Sequence, residues 1–235
     1  MMTLEQRGLP RPPFDLRSEQ ANHFDITDQR FWSIVDRVHA YTELSVAALF
    51  NLYSAVNYII DGGIDGDVVE CGVHMGGSVM LMEHLLLGDA KRRRLFALDT
   101  FTGFVRRSEE YDVDLRTGDA ACAVEESPID FTGPSTENME SVGFDGLRVV
   151  KGDVLETIPR LDVEQISLLR LDTDTYDTTK LELEQLYDRV VPGGVVIIDD
   201  YGYTMGCKKA VDDFIVNRRV MLQRINPNVR SWIKL

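Results

Sequence analysis

The sequence predicts an α/β fold: a doubly wound, mostly parallel sheet with crossover helices on both faces. Three observations predict it. From residue 67 onward, short β-rich runs alternate with helical stretches, giving "DVVECG", "RLFALDTF", "LRVVKGD", "ISLLRLDTD" and "GGVVIIDD". These runs are apolar almost without interruption, as strands covered on both faces are, and do not alternate as half-exposed strands do. Two of them also end abruptly in acids, Asp172, Asp174 and Asp177 in "LLRLDTDTYDTT" and Asp199 and Asp200 in "GGVVIIDDYG". In open α/β sheets the carboxyl ends of the parallel strands form the ligand crevice.

The elements follow in order. Residues 1–26, with Pro10, Pro12 and Pro13, read as an extended arm, and Thr27 or Asp28 would cap the helix that follows. Leu44, Ala48, Leu52, Ala55, Val56 and Ile59 recur at three- and four-residue steps, the helical period. "DGGIDGD" then breaks the chain, dividing an N-terminal arm and helix (1–61) from the main domain (62–235). After the first strand a helix is expected over 78–87, and Lys91 to Arg94 read as a solvated turn before the second. The polar stretch 102–145 is long enough to be a lid or binding loop. In the helix over 180–190, Leu183, Leu186, Tyr187 and Val190 form the buried stripe, Glu182, Glu184 and Asp188 face away, and Pro192-Gly193-Gly194 marks its end. A last helix is expected over 206–217.

Composition bounds the function. At 235 residues, with 44% hydrophobic and 27% charged, the chain has the size and balance of one folded domain with a decoration. A formal charge of -14 argues against nucleic acid, because it repels a phosphate backbone. The apolar region from Leu44 to Ile60 is interrupted by Asn51, Ser54 and Asn57 and is shorter than a membrane span. The N-terminus carries neither a signal-like apolar core nor a transit-like composition, so a cytoplasmic address is expected. Cys71, Cys122 and Cys207 are widely separated and predict reduced thiols rather than disulfides or zinc.

In "ECGVHMGGS", Gly72, Gly76 and Gly77 would let the backbone approach a ligand, while Ser78 supplies a hydroxyl donor or a helix cap. The motif is neither the dinucleotide GxGxxG nor a P-loop, and a tight strand-to-helix turn is its structural alternative. Asp99 ends the second strand, where an acid grips the ribose hydroxyls of a nucleoside-like cofactor or simply braces a turn.

Taken together, "VVECGVHMGGS", "LDTFTGF", "GDVLETIP", "LRLDTDTYDTT" and "GGVVIIDDYG" with "GCKKAVDDF", in order from Asp67 to Phe214, resemble the macrocin O-methyltransferase family. These are metal- and S-adenosylmethionine-dependent enzymes that methylate sugar hydroxyls of antibiotics and related natural products. The resemblance implies a Rossmann-like class I methyltransferase with a seven-stranded sheet, and S-adenosyl-L-methionine and Mg²⁺ as cofactors. It places the ion on Asp172, Asp199 and Asp200, an all-oxygen set suited to a hard cation. Asp172 is the expected base and Asp174 the alternative, while Asp177 is expected to cap the following helix. Glu70 is expected at the cofactor's amino-acid or ribose part, Gly72, Gly76 and Ser78 in its loop, Asp99 with Thr100 at the ribose, and Asp153 near the adenine.

The resemblance further implies a glycosylated small-molecule acceptor and a homodimer. The 102–145 lid and the arm would close over the acceptor, with Phe101, Phe104, Tyr111 and Phe131 as apolar walls, core packing being the equal alternative for the first two. Two departures stand out: His74 and Met75 replace an aromatic and a basic residue in the glycine loop, and Thr175 stands where catechol-type relatives carry a lysine base, which argues against catechol acceptors. His74 is expected beside the cofactor, and His39 and His84 in structural roles. The competing functions are a nucleotide-sugar glycosyltransferase using "DTD" as its metal-phosphate motif, and a non-catalytic S-adenosylmethionine-binding protein.

Overall fold

The computed structural model describes residues 14–105, 108–124 and 129–235. The three prolines of the arm, and residues 106–107 and 125–128 of the expected lid, lie outside the described residues. In chain order the elements are α1 (Leu16–Asn22), α2 (Gln29–Val38), α3 (Val46–Asp61), β1 (Asp67–Cys71), α4 (Gly77–Leu86), β2 (Leu95–Asp99), α5 (Thr132–Glu140), β3 (Leu147–Lys151), α6 (Val154–Thr157), β4 (Ile166–Leu171), α7 (Tyr176–Leu186), β5 (Val190–Ile198), α8 (Met205–Ile215), β6 (Gln223–Arg224) and β7 (Arg230–Ile233). They build one seven-stranded sheet in the order β3-β2-β1-β4-β5-β7-β6. The pairs from β3 to β5 are parallel, and β7 runs antiparallel to β5 and β6.

The near-continuous apolar runs have their reason in two cores. Val68, Leu168, Val195 and Ile197 face the layer of α2, α3 and α4, whereas Val69, Cys71, Leu169, Leu171, Val196 and Ile198 face residues of α7 and α8. Successive residues of a strand point to opposite faces, so a sheet covered on both sides needs apolar residues at every step. Asp28 caps α2 by accepting from the Arg30 amide at 2.8 Å, and also accepts from the Tyr53 hydroxyl of α3 at 2.5 Å. That pair staples the N-terminal helices to each other. Ser45 caps α3, leaving Leu44 just outside the helix.

Four expectations change. Leu183, Leu186, Tyr187 and Val190 are all buried, but α7 also buries Glu182 instead of turning it outward. Pro192-Gly193-Gly194 lies within β5 and not at the helix end: Ile166 pairs with Val190 and Leu168 with Val195, so the residues between bulge out of register. Asp177 does not cap α7, because the helix begins at Tyr176 after Thr175, and Asp177 sits in its first turn, where an acid complements the helix dipole. Within the basic turn, Arg93 is buried: it donates to the Gly66 and Ile59 carbonyls at 2.7 and 3.1 Å and pairs with Asp89 at 2.8 Å. Its neighbour Arg94 joins the start of β1 by pairing with Asp67 at 2.7 Å.

Candidate active site

The strand ends converge as the pattern of acids predicts. Backbone pairing continues one residue past the strands, with the Asp172 amide donating to the Cys71 carbonyl at 2.8 Å and the Asp199 amide to the Leu171 carbonyl at 2.9 Å. This register sets the two acids side by side on adjacent strands. One carboxylate oxygen from each of Asp172, Asp199 and Asp200 falls within 4.8 Å of the other two.

Below them lies a residue the sequence reading passed over. Arg170, in the middle of β4 and 2% exposed, donates to Glu70 and Asp199, and to Asp172 at 2.8 Å. An arginine inside the apolar run "SLLRL" was the available signal, since a charged residue is almost never fully buried unless it is paired. Glu70 is wholly buried beneath the cavity, next to the Ser78 hydroxyl, and burial holds its pKa up at about 7 in spite of Arg170. Glu70 thus faces Arg170 and Ser78 from below.

The acid cluster is electrostatically incomplete. Burial, and then repulsion from the neighbouring acids, pushes Asp199 and Asp200 well above the usual carboxylate range. The Asp200 Oδ2 atom and the Glu70 Oε2 atom are buried without a hydrogen-bond partner among the described residues. Three closely set carboxylates, one with an orphaned oxygen, fit a divalent cation, which would satisfy the oxygens and remove the repulsion. Asp174 stands outside this set of three. Its backbone is left-handed at φ 63, its carbonyl accepts from the Thr204 hydroxyl at 2.5 Å, and burial followed by the Asp172 charge raises its pKa to about 7. His74 and Cys122 on the same cavity wall are also left-handed, a conformation that is costly for non-glycine residues and persists where the surroundings impose it.

The glycine turn is held by the chain itself. A Cβ on Gly72 (φ +81) would overlap the Asp172 carbonyl, one on Gly76 (φ +87) would lie 2.5 Å from Met139 of α5, and one on Gly77 would lie 2.7 Å from Thr42 and the Tyr41 backbone. The absence of side chains at these glycines admits the segment after β4, α5 and the segment before α3, while Gly72 also borders the cavity. Ser78 does not cap α4, whose N-cap is Gly76.

Asp99 braces this turn. Its Oδ2 accepts from the Val73 and His74 amides, both at 2.8 Å, and its Oδ1 from the Phe101 amide at 2.7 Å. Thr100 closes the adjoining turn by donating to the Gly103 carbonyl at 2.7 Å. Asp153 caps α6 through the Leu155 amide at 2.9 Å. All three border the same cavity of about 870 Å³ as Gly72, His74, Ser78, Asp172, Asp174, Asp199 and Asp200. Gly76 and Glu70 support that wall from behind.

Much of the expected lid is anchored. α5 donates from Ser135 to the His74 carbonyl at 2.7 Å and from Asn138 to the Met75 carbonyl at 3.0 Å. Asp112, 1% exposed, accepts from the Tyr176 amide at 2.8 Å, tying its segment to the start of α7. The Leu115 amide donates to Tyr203 and the Met205 amide to Val113, both at 2.9 Å. Phe104 and Phe131 border the cavity, Phe101 packs edge-on to Phe131, and Tyr111 packs against Tyr176.

Glu182 was also missed. Burial raises its pKa to about 8, and it accepts from the Thr173 hydroxyl at 3.0 Å beneath the acid loop. Among the described residues, no helix is long and apolar enough to cross a membrane.

Comparison with known proteins gives a consistent picture. The family model described as macrocin-O-methyltransferase matches residues 15–231. Demethyldecarbamoylnovobiocin O-methyltransferase of Streptomyces niveus is 30% identical over 182 residues, covering 75% of this chain and 68% of that one. The 8-demethyl-8-(2,3-dimethoxy-alpha-L-rhamnosyl)-tetracenomycin-C 4'-O-methyltransferase of Streptomyces olivaceus is 34% identical over 182 residues, covering 74% of this chain and 67% of that one. The solved structure of the O-methyltransferase NovP superposes with a TM-score of 0.70 at 28% identity, over 83% of this chain and 82% of that one.

Proposed function

The chain belongs to the macrocin O-methyltransferase family, and from that premise we propose that it methylates a sugar hydroxyl of a glycosylated natural product, with Mg²⁺ held by Asp172, Asp199 and Asp200. It is an S-adenosylmethionine-dependent O-methyltransferase by family and by relatives. This replaces the glycosyltransferase alternative. The acceptor class is taken from the relatives, one of which is named for a rhamnosyl-bearing compound. One observation carries the ion: the three-acid cluster with its orphaned oxygen, on the wall of a cavity large enough for a small-molecule ligand.

In this reading the cofactor lies along the glycine turn, Asp99, Thr100 and Asp153, with Glu70 and Ser78 behind its methionine end. A divalent ion at the three acids would polarise and acidify the acceptor hydroxyl. Asp174 takes the proton: it is not one of the three grouped acids, although its carboxyl is hydrogen-bonded to Asp200, and it lies on the same wall, whereas Asp172 gives one oxygen to Arg170 and is assigned to the ion. The sequence favoured Asp172 for the base; the geometry favours Asp174. The rigid wall built by Asp99, α5 and Asp112 excludes water and holds donor and acceptor in line, an effect that contributes up to about 7–11 kcal/mol in well-oriented reactions.

The test combines labelled S-adenosylmethionine, Mg²⁺ and a panel of glycosylated metabolites with Mn²⁺ titration followed by electron paramagnetic resonance. Asp200→Asn should lose Mn²⁺ binding and activity together. Asp174→Asn should keep Mn²⁺ and lose about 10²–10⁴-fold in kcat, the usual range for a general base. Full activity in Asp200→Asn would remove the ion from the reading, and full activity in Asp174→Asn would return the proton to Asp172.

A further inference from the structure

We propose that Arg170 is a positioning residue that joins the cofactor side of the site to the ion side, so that the two assemble as one unit. This rests on the reading of Asp172, Asp199 and Asp200 as ion ligands.

Arg170 lies where a charge is least expected. In register it sits between Glu70 of β1 and Ile197 of β5, and that face of the sheet is otherwise built from Val68, Leu168, Val195 and Ile197. Such a residue persists in a core only when its donors are taken up. Here they reach three strand ends at once: one terminal nitrogen serves both Glu70 and Asp172, and the other serves Asp199. A guanidinium holds its donors in a fixed planar fork, so it fixes the relative orientation of the carboxylates it bridges. A lysine ammonium is a point charge on a flexible stem and does not impose that plane.

Glu70 is the acid nearest the methionine end of the proposed cofactor site, and Asp172 and Asp199 are two of the three ion ligands. The same guanidinium therefore touches both halves. Asp200, the third ligand, is not held by Arg170, and its buried Oδ2 is the oxygen left over. Arg170 thus supplies one positive charge against three carboxylates and leaves a deficit. The divalent ion would complete it on the Asp172 and Asp199 side, and a cofactor seated against Glu70 would hold the shared guanidinium in the same plane. Partners that orient metal ligands change metal affinity by about 10–100-fold when removed.

The experiment measures binding, not turnover, on the full chain: Mn²⁺ by electron paramagnetic resonance, and S-adenosylhomocysteine by calorimetry with and without saturating Mn²⁺. In the wild type each ligand should tighten the other, by the same factor in both directions. Arg170→Gln should weaken Mn²⁺ by about tenfold or more and abolish the mutual tightening. Arg170→Lys, which keeps the charge and most of the stem, should recover thermal stability but not the coupling. A purely structural role would lower the melting temperature of Arg170→Gln and leave both affinities of the folded fraction intact. Should Arg170→Gln fail to fold, Arg170→Lys alone decides. Mn²⁺ binding unchanged or tighter in the variant, or coupling retained in it, overturns the proposal. Absence of Mn²⁺ binding in the wild type overturns the ion reading instead, and Arg170 is then judged on S-adenosylhomocysteine alone, where an unchanged affinity overturns it.

Discussion

Glu83 is the clearest case of a side chain that stability would gain from losing. It lies in the middle of α4, fully buried, and neither carboxylate oxygen has a hydrogen-bond partner among the described residues. Burial, and then the charge of Glu140, raises its pKa from 4.5 to about 8. The folded chain therefore holds a proton on Glu83 that the unfolded chain has released. Its contribution to stability is whole below about pH 4.5 and declines as pH rises, until it is lost above about pH 8. At 1.36 kcal/mol per pKa unit, the loss by pH 7 is roughly 3 kcal/mol. Glu83→Met keeps the shape and has nothing to ionise. Allowing up to about 1 kcal/mol for imperfect repacking, the gain near pH 7 is about 2 kcal/mol. For a chain of this size that corresponds to about 4–8 °C. The assay is calorimetric melting of both proteins at intervals from pH 5 to pH 9. Glu70, Glu182 and Asp174 also carry raised pKa values and tilt both curves alike, so the difference between the curves isolates Glu83. Parallel curves across the whole range would refute the reasoning.

Two further outcomes test the architecture around the site. Gly72→Ala combines left-handed backbone strain with overlap of the Asp172 carbonyl, so it should destabilise by about 3 kcal/mol or more and displace Asp172; denaturant unfolding and Mn²⁺ titration read both effects, and a wild-type profile in each would show that the two strands tolerate the methyl. Asp112→Ala removes a buried acceptor from the Tyr176 amide. It should open residues 108–122 to limited proteolysis and raise the acceptor KM while S-adenosylhomocysteine affinity stays within about twofold, because those bonds hold the wall and not the glycine turn; unchanged proteolysis would sink that assignment.

The parts of the fold that were legible in the sequence are those where burial is symmetric. A strand covered on both faces has no alternation to misread, and an acid at its carboxyl end stands out against the apolar run, which is how the acids after β4 and β5 were found; choosing Asp172, Asp199 and Asp200 among them as one ion set rested on the family resemblance. What stayed hidden were polar residues doing buried work. On α7 the buried residues are Thr178, Thr179, Glu182, Leu183 and Leu186, a regular stripe at three- and four-residue steps. Weighing only the apolar members of that stripe turned Glu182 outward. Arg170 was overlooked for the same reason, since its partners on β1 and β5 lie far away in sequence and become neighbours only through the strand order. The glycines show the converse limit: their type and position were visible, but whether a ligand or the chain's own backbone needs the space depends on which segment the topology brings beside them. In this protein β4 and α5 come beside them, and the rigidity they impose on the turn places Asp172 and His74 on the cavity wall.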